Sequence, residues 1–321
     1  MGDDGGPVLQ GFPLGAGPRS LDVPKPVAVI DAPSNLGLRP PGPGREPGVR
    51  RLASALRGRG LVGKLGAEDG GVVVPPTYSP VWDGETTRNG GAIRGFSVGL
   101  AGRVGSVDEG GRFSLVLGGD CSILIGNMLA LRRADRYGLV VFLDGHLDFR
   151  HPGNSTSVGA AAGEDLALVT GRGQGDLADI EGLGPLVRDE DVVALGEREG
   201  DPRTADILRT GITVWDLAAV RAMGPAEAAA RAVERLRENG VDGFWVHLDA
   251  DVLDDAVMPA VDSRQPGGLG QAEFIEALRV LLRSGLAVGM DVTIFDPDLD
   301  PTGEIAEGLV STLERAFEED V

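Results

Sequence analysis

Short, continuously apolar runs recur along the chain, separated by stretches in which apolar residues return every three or four positions. Leu139-Val140-Val141-Phe142-Leu143 is the plainest run; no polar residue interrupts it, so the strand it predicts is buried on both faces. The same pattern predicts strands at Pro26–Asp31, Gly71–Val74, Ser114–Leu117, Val192–Leu195, Ile212–Trp215, Phe244–Leu248 and Ala287–Phe295. Helices are predicted over Gly48–Arg57, Ser122–Arg133, Pro225–Asn239, Gln271–Ser284 and Glu304–Phe317. Pro225 at the start and Gly240 just past the end of one of them are ordinary helix start and stop signals. Doubly buried strands separated by helices require parallel crossovers. The expectation is an α/β fold, a three-layer α/β/α domain around a central, mostly parallel eight-stranded sheet. Residues 1–24, rich in Gly and Pro and without periodicity, read as a flexible lead-in. Residues 25–321 read as one domain, because neither a linker nor an internal repeat divides them.

Composition narrows the possible partners. The 321 residues carry 49 acidic and 30 basic side chains, a formal charge of −19, which argues against binding nucleic acid through its phosphates. With 42% hydrophobic residues the chain can build a large core. A single cysteine excludes a disulfide scaffold and a Cys-rich zinc module, and fits a reducing, cytoplasmic setting. No apolar run approaches the length of a membrane span, and Asp3 and Asp4 stand where a signal peptide would be basic.

In open α/β sheets ligands gather beyond the carboxyl ends of the strands, and the unusual residues fall there. Asp120-Cys121 follows one strand, Asp144-Gly145-His146-Leu147-Asp148 another and Asp249-Ala250-Asp251 a third, while Asp291 lies within the last. In extended chain, Asp144, His146 and Asp148 point the same way, and so do Asp249 and Asp251. That many carboxylates in one crevice repel one another unless cations neutralise them. The plainer alternative is that each acid caps the next helix or sits in solvent. One imidazole among hard oxygen donors suits Mn²⁺ or a similar first-row ion.

Gly118-Gly119-Asp120-Cys121-Ser122, Asp144-Gly145-His146-Leu147-Asp148 and Leu248-Asp249-Ala250-Asp251-Val252-Leu253-Asp254 resemble the three signature segments of the arginase/agmatinase ureohydrolases. Gly267-Gly268-Leu269, about 16 residues further on, matches the family's Gly-Gly-Leu. The resemblance runs over roughly residues 26–317. It implies a hydrolase with two Mn²⁺ ions per chain, which activate a bridging hydroxide that attacks a guanidinium carbon. It implies Asp144, His146, Asp148, Asp249 and Asp251 as metal ligands, Asp148 and Asp291 as catalytic groups, and a homo-oligomer, trimeric or hexameric.

The departures from the family shape the expected chemistry. The sixth ligand of the family is a His directly after Gly-Gly-Asp; here it is Cys121, a softer donor that opens the site to Fe²⁺, Co²⁺ or Zn²⁺. Four carboxylates and a thiolate would carry five negative charges against four positive ones, which weakens Lewis acidity and slows hydroxide chemistry. The other reading of Cys121 is a small buried hydrophobe. Ala162 stands where arginases place a proton-shuttling His; Glu164 or Asp165 could replace it or could be ordinary helix N-terminal acids. Arg150, in place of an Asn, either pairs with a substrate carboxylate or neutralises the acidic rim. Asp291 resembles the family's guanidinium-binding Glu, one methylene shorter. The resulting expectation is a C–N hydrolase of a small guanidino, amidino or formimidoyl compound that is not a standard arginase. The alternative is a catalytically impaired relative that keeps a metal or ligand.

Weaker signals complete the reading. Gly58-Arg59-Gly60-Leu61-Val62-Gly63-Lys64 has the outline of a phosphate loop but follows a predicted helix rather than a strand. His247 is expected to pack away from the metals, and Trp82, Trp215 and Trp245 to lie in the core.

Overall fold

A computed structural model describes residues 25–135, 140–198 and 203–318, so the expected lead-in and Leu139 lie outside the described residues. Within them, β1 (Val27–Asp31), β2 (Glu68–Val72), β3 (Phe113–Leu117), β4 (Val140–Leu143), β5 (Val192–Leu195), β6 (Thr213–Trp215), β7 (Phe244–Asp249) and β8 (Ala287–Thr293) form one sheet. Its order is β2-β1-β3-β8-β7-β4-β5-β6, and every pairing is parallel. Alternation along the strands feeds two cores. On β7, Phe244, Val246 and Leu248 enter the core built with the helices Leu52–Gly58, Pro225–Glu238, Gln271–Arg283 and Glu304–Phe317. Trp245 faces the other core, built with Gly90–Glu109, Leu124–Arg133 and Asp165–Val169. These are the three layers expected.

The strand order sets the position of the site. The chain leaves β3, skips two places to β4, and fills the gap later with β8 and β7. The four contiguous strands β3-β8-β7-β4 therefore end side by side, and their carboxyl ends carry every residue singled out for metal chemistry.

Two local expectations differ from the structure. The second strand begins at Glu68 rather than Gly71, because the sheet edge takes the polar stretch and leaves Val74 77% exposed. A 20-residue helix, Gly90–Glu109, stands where none is predicted. Gly at 90, 91, 95, 99, 102 and 105 lowers local helix propensity by about 1 kcal/mol each relative to Ala. Burial of Ile93, Phe96, Leu100 and Val104 against the second core overrides it. As expected, the Gly58–Lys64 loop follows a helix rather than a strand, and Lys64 Nζ pairs with Glu314 at 2.9 Å. No helix among the described residues is long and apolar enough to cross a membrane.

Candidate metal centre

Tight turns aim the donors inward. After β3, a side chain at Gly119 would collide with the Ser34 carbonyl oxygen, and one at Gly118 with Ile123. Asp120 is consumed by this turn, accepting from Ser34 Oγ at 2.9 Å, Gly37 N at 3.2 Å and Ser122 N at 2.9 Å. Cys121 is thereby presented, fully buried, at the end of the strand. After β7, Asp249 Oδ1 accepts from Asp251 N at 2.8 Å, and Asp251 Oδ1 accepts from Gly145 N at 3.1 Å, tying the β7 and β4 loops together. Arg198, which sequence reasoning missed, reinforces the tie by donating to the carbonyls of Asp251 at 2.6 Å and Leu253 at 3.0 Å. A side chain at Gly268 would strike that arginine and Leu253, which gives the Gly-Gly-Leu segment its physical role.

The donors fall into overlapping groups whose ligand atoms lie within 4.8 Å of one another. Asp144, His146 and Asp251 form one, Cys121, Asp148 and Asp249 a second, and Cys121, Asp165 and His247 a third. In the first, His146 Nδ1 lies 2.9 Å from Asp251 Oδ2, while Nε2 faces Ser263 Oγ at 3.2 Å and Gln265 Nε2 at 3.1 Å. In the second, Cys121 Sγ donates to Asp249 Oδ2 at 3.0 Å and lies 3.2 Å from Thr293 Oγ1.

Crowding of like charges in a dry place dominates the electrostatics. Burial, then Asp251, pushes the Asp144 carboxyl up to about 6. Burial and neighbouring aspartates hold Asp148, Asp165 and Asp249 well above the usual carboxylate range, and the Cys121 thiol well above its own. Burial lowers the His146 imidazole, but Asp144 and Asp251 outweigh it and push it up to about 12. Asp144 Oδ2 and Asp165 Oδ2 are buried without a hydrogen-bond partner. Carboxylates this close and this dry, with orphaned oxygens turned inward, fit divalent cations.

Above the donors lies a cavity of about 200 Å³ whose lining includes Arg39, Asp148, Arg150, Asp249, Asp251 and Ile294. Arg150 faces it, and Ala162 also lines it, bringing no acid or base. Glu164 does not reach it; its carboxylate accepts from Gly159 N and Ala160 N and braces that loop.

Three expectations need correction. Asp291 is not at the cavity. It is fully buried beneath it, where its carboxylate accepts from Asn127 Nδ2 at 2.5 Å and Trp245 Nε1 at 3.0 Å and contacts His247 Nδ1 at 2.6 Å. Alternation along β8 turns it toward the second core; the residue of that strand end lining the cavity is Ile294, apolar and held at φ 69°. His247 does not pack away from the donors, since it lies two residues before Asp249 and so on the same strand face. Trp82 is 38% exposed rather than core, with the Arg88 guanidinium 5.5 Å from its ring, whereas Trp245 is fully buried.

A parallel α/β/α sheet with clustered aspartates, a histidine and a cysteine at its carboxyl rim is the architecture of an α/β protein with a candidate metal centre. The Arginase family profile matches residues 26–317, and the chain belongs to that family. An arginase of Staphylococcus aureus (strain COL) is 30% identical over 304 residues, spanning 92% of this chain and 98% of that one. The solved arginase of Bacillus caldovelox superposes with a TM-score of 0.83 at 29% identity, covering 92% of this chain and 99% of that one. The formimidoylglutamase of Bacillus subtilis subsp. subtilis str. 168 shares the fold, with a TM-score of 0.71 at 19% identity over 91% of this chain and 86% of that one. By family the chain is a hydrolase acting on C–N bonds of linear amidines.

Proposed function

We propose that this member is a dinuclear metal-dependent hydrolase that cleaves a C–N bond of a small guanidino, amidino or formimidoyl compound with an anionic tail, and that it is not a standard arginase. The observation that carries the reading is the pair of donor groups, Asp144/His146/Asp251 and Cys121/Asp148/Asp249, side by side beneath one cavity. When bound, two dications would supply Lewis acidity and a water acidic enough to act near neutral pH. Cys121 favours an ion softer than Mn²⁺ at its own position, while the Asp144/His146/Asp251 group, with hard oxygen donors and one imidazole, accepts Mn²⁺, Fe²⁺, Co²⁺ or Zn²⁺ at the other. A reduced thiol at Cys121 is consistent with a cytoplasmic setting.

The chain's own residues divide the remaining work. Asp148, Asp249 and Asp251 make the cavity floor acidic and attract a cationic head. Arg150 takes an anionic tail bidentately, with Arg39 beside it. Asp291 acts as a positioning residue through His247 instead of touching substrate. Ser263 and Gln265 hold the outer edge of the His146 ring. Ile294 gives the substrate an apolar wall on the β8 side, which sets this cavity apart from one built around an additional carboxylate.

The test is urea or ammonia release from a panel of guanidino, amidino and formimidoyl acids by protein loaded with Mn²⁺, Fe²⁺, Co²⁺ or Zn²⁺. Release well above that of an Asp251→Asn control is expected. Ala162 and Ile294, apolar at the cavity, favour the second reading, an impaired metal- or ligand-binding relative. Silence of every compound with every metal would establish that reading instead.

A further inference from the structure

Asp262 stands apart from the other acids of the cavity. Among the described lining residues Asp148, Asp249 and Asp251 each belong to a donor group, while Asp262 belongs to none. The loop that carries it is anchored on both sides. Ala260 and Val261 are buried, the Ala260 carbonyl accepts from Asp296 N at 2.8 Å, and Ser263 Oγ lies 3.2 Å from His146 Nε2. At the base of the loop Asp254 Oδ2 accepts from Gly267 N at 2.6 Å. Between these anchors Asp262 lines the cavity, and no side chain among the described residues pairs with its carboxylate. The nearest cation in the chain, Arg264, is engaged with Asp255 at 2.5 and 2.9 Å. Crowding by the cavity walls, which strips water from the Asp262 carboxyl, and then Asp251 raise it above its ordinary value, with His146 opposing them. Asp262 thus lies beside the Asp144/His146/Asp251 group without joining it.

Charge decides what such a residue can do. The four carboxylates and one thiolate of the two donor groups carry five negative charges, and two dications neutralise four of them. Their lone pairs then point at the ions and are poor acceptors for the N–H groups of a substrate. The charged side chains left on the lining are Arg39, Arg150 and Asp262. An amidinium head is a planar cation with paired N–H donors, which a carboxylate receives bidentately. Ile294, Ala160 and Ala162 offer it no side-chain acceptor. Arg150 lies against Gly163, where a Cβ would come within 2.9 Å of its Nη1, and cannot serve a cation at all.

We infer that Asp262 is the specificity-determining residue of this cavity: its carboxylate receives the cationic head of the amidine while Arg150 receives the anionic tail. The substrate class is then a zwitterionic amidino acid, charged at both ends. The inference rests on the proposed function and deepens it, because it gives recognition of the head to a residue outside the metal donors.

The experiment titrates the full chain, loaded with Mn²⁺, with two acids of equal length in a calorimeter: guanidinobutanoate and its neutral counterpart ureidobutanoate. Where the guanidino acid is turned over, KM and kcat are read beside Kd. The unmutated chain is expected to prefer the guanidino acid by at least about tenfold. Asp262→Asn, nearly isosteric, is expected to cut that preference to within about twofold while leaving ureido binding, metal content and circular dichroism as they were. Asp262→Glu is expected to restore part of it. The unmutated chain supplies a readout that no folding failure touches: equal binding of the two acids, or binding of neither, would overturn the inference. A preference that survives Asp262→Asn would also overturn it, as would loss of metal from that variant, which would make Asp262 a ligand. A preference abolished by Asp262→Asn in a chain that hydrolyses no compound would sink the proposed hydrolysis alone and leave the head site standing.

Discussion

Arg150 is a cation placed among acids. It lines the cavity with Asp148, Asp249 and Asp251, and no side chain among the described residues hydrogen-bonds its guanidinium. An arginine without a partner facing an open cavity is available to a planar anion in a way that a paired one is not. Arg150→Ala is therefore expected to raise KM for carboxylate-bearing substrates roughly tenfold while changing kcat much less, since the tail lies away from the reacting carbon. Steady-state kinetics on paired substrates with and without the carboxylate checks this; an equal effect on both would make Arg150 only a neutraliser of the rim.

At the level of elements, the two helices on the second core approach each other through a glycine. A Cβ at Gly126, in the Leu124–Arg133 helix, would sit 3.0 Å from Leu100 Cβ and from the Ser97 carbonyl oxygen of the Gly90–Glu109 helix. The backbone there has no room to give without parting the helices. Gly126→Val is expected to destabilise the fold by about 2 kcal/mol through overpacking, although valine would be the better residue in a bare strand and no worse than glycine in a bare helix. Urea unfolding measures the loss, and an unchanged midpoint would show that the two helices are loosely packed.

Across the whole molecule, the buried acids link metal content to stability. In the metal-free chain Asp144 titrates at about 6 against an ordinary 3.8, and His146 at about 12 against 6.5. Both folded-state values are raised, so the folded chain binds more protons than the unfolded chain across those intervals. The stabilisation is full at low pH and is lost as pH rises, first through about 4 to 6 with Asp144 and then above 6.5 with His146. Asp144 alone contributes on the order of 3 kcal/mol. Cations bound at this rim would take the place of those protons. Chelator-treated protein is thus expected to melt lower at pH 7.5 than at pH 5, and metal-loaded protein to show a smaller difference, measured by scanning calorimetry. The same pH dependence with and without chelator would remove the cations from the stability of this rim.

The parallel α/β sheet was legible in the sequence because a strand buried on both faces has to be apolar without interruption, as in Val192–Leu195, and because such strands need helical crossovers. The metal-type residues were legible because i, i+2 spacing at a strand end carries its own geometry, as in Asp249 and Asp251. The Gly90–Glu109 helix was not, since six glycines mask it and only the core it covers supplies its stability. Asp291 and His247 were misplaced for a related reason. Which face of β7 and β8 turns toward the donors depends on the neighbouring strands and helices, and a side chain's partners across the sheet have no signature in local order. Sequence alone determined the architecture and the kind of chemistry at the rim. Tertiary structure decided which acids face the cavity, that Ile294 and Arg150 shape it, and that Asp165 and His247 lie against Cys121. Those relations join residues tens to more than a hundred positions apart, and they exist only once the sheet has closed.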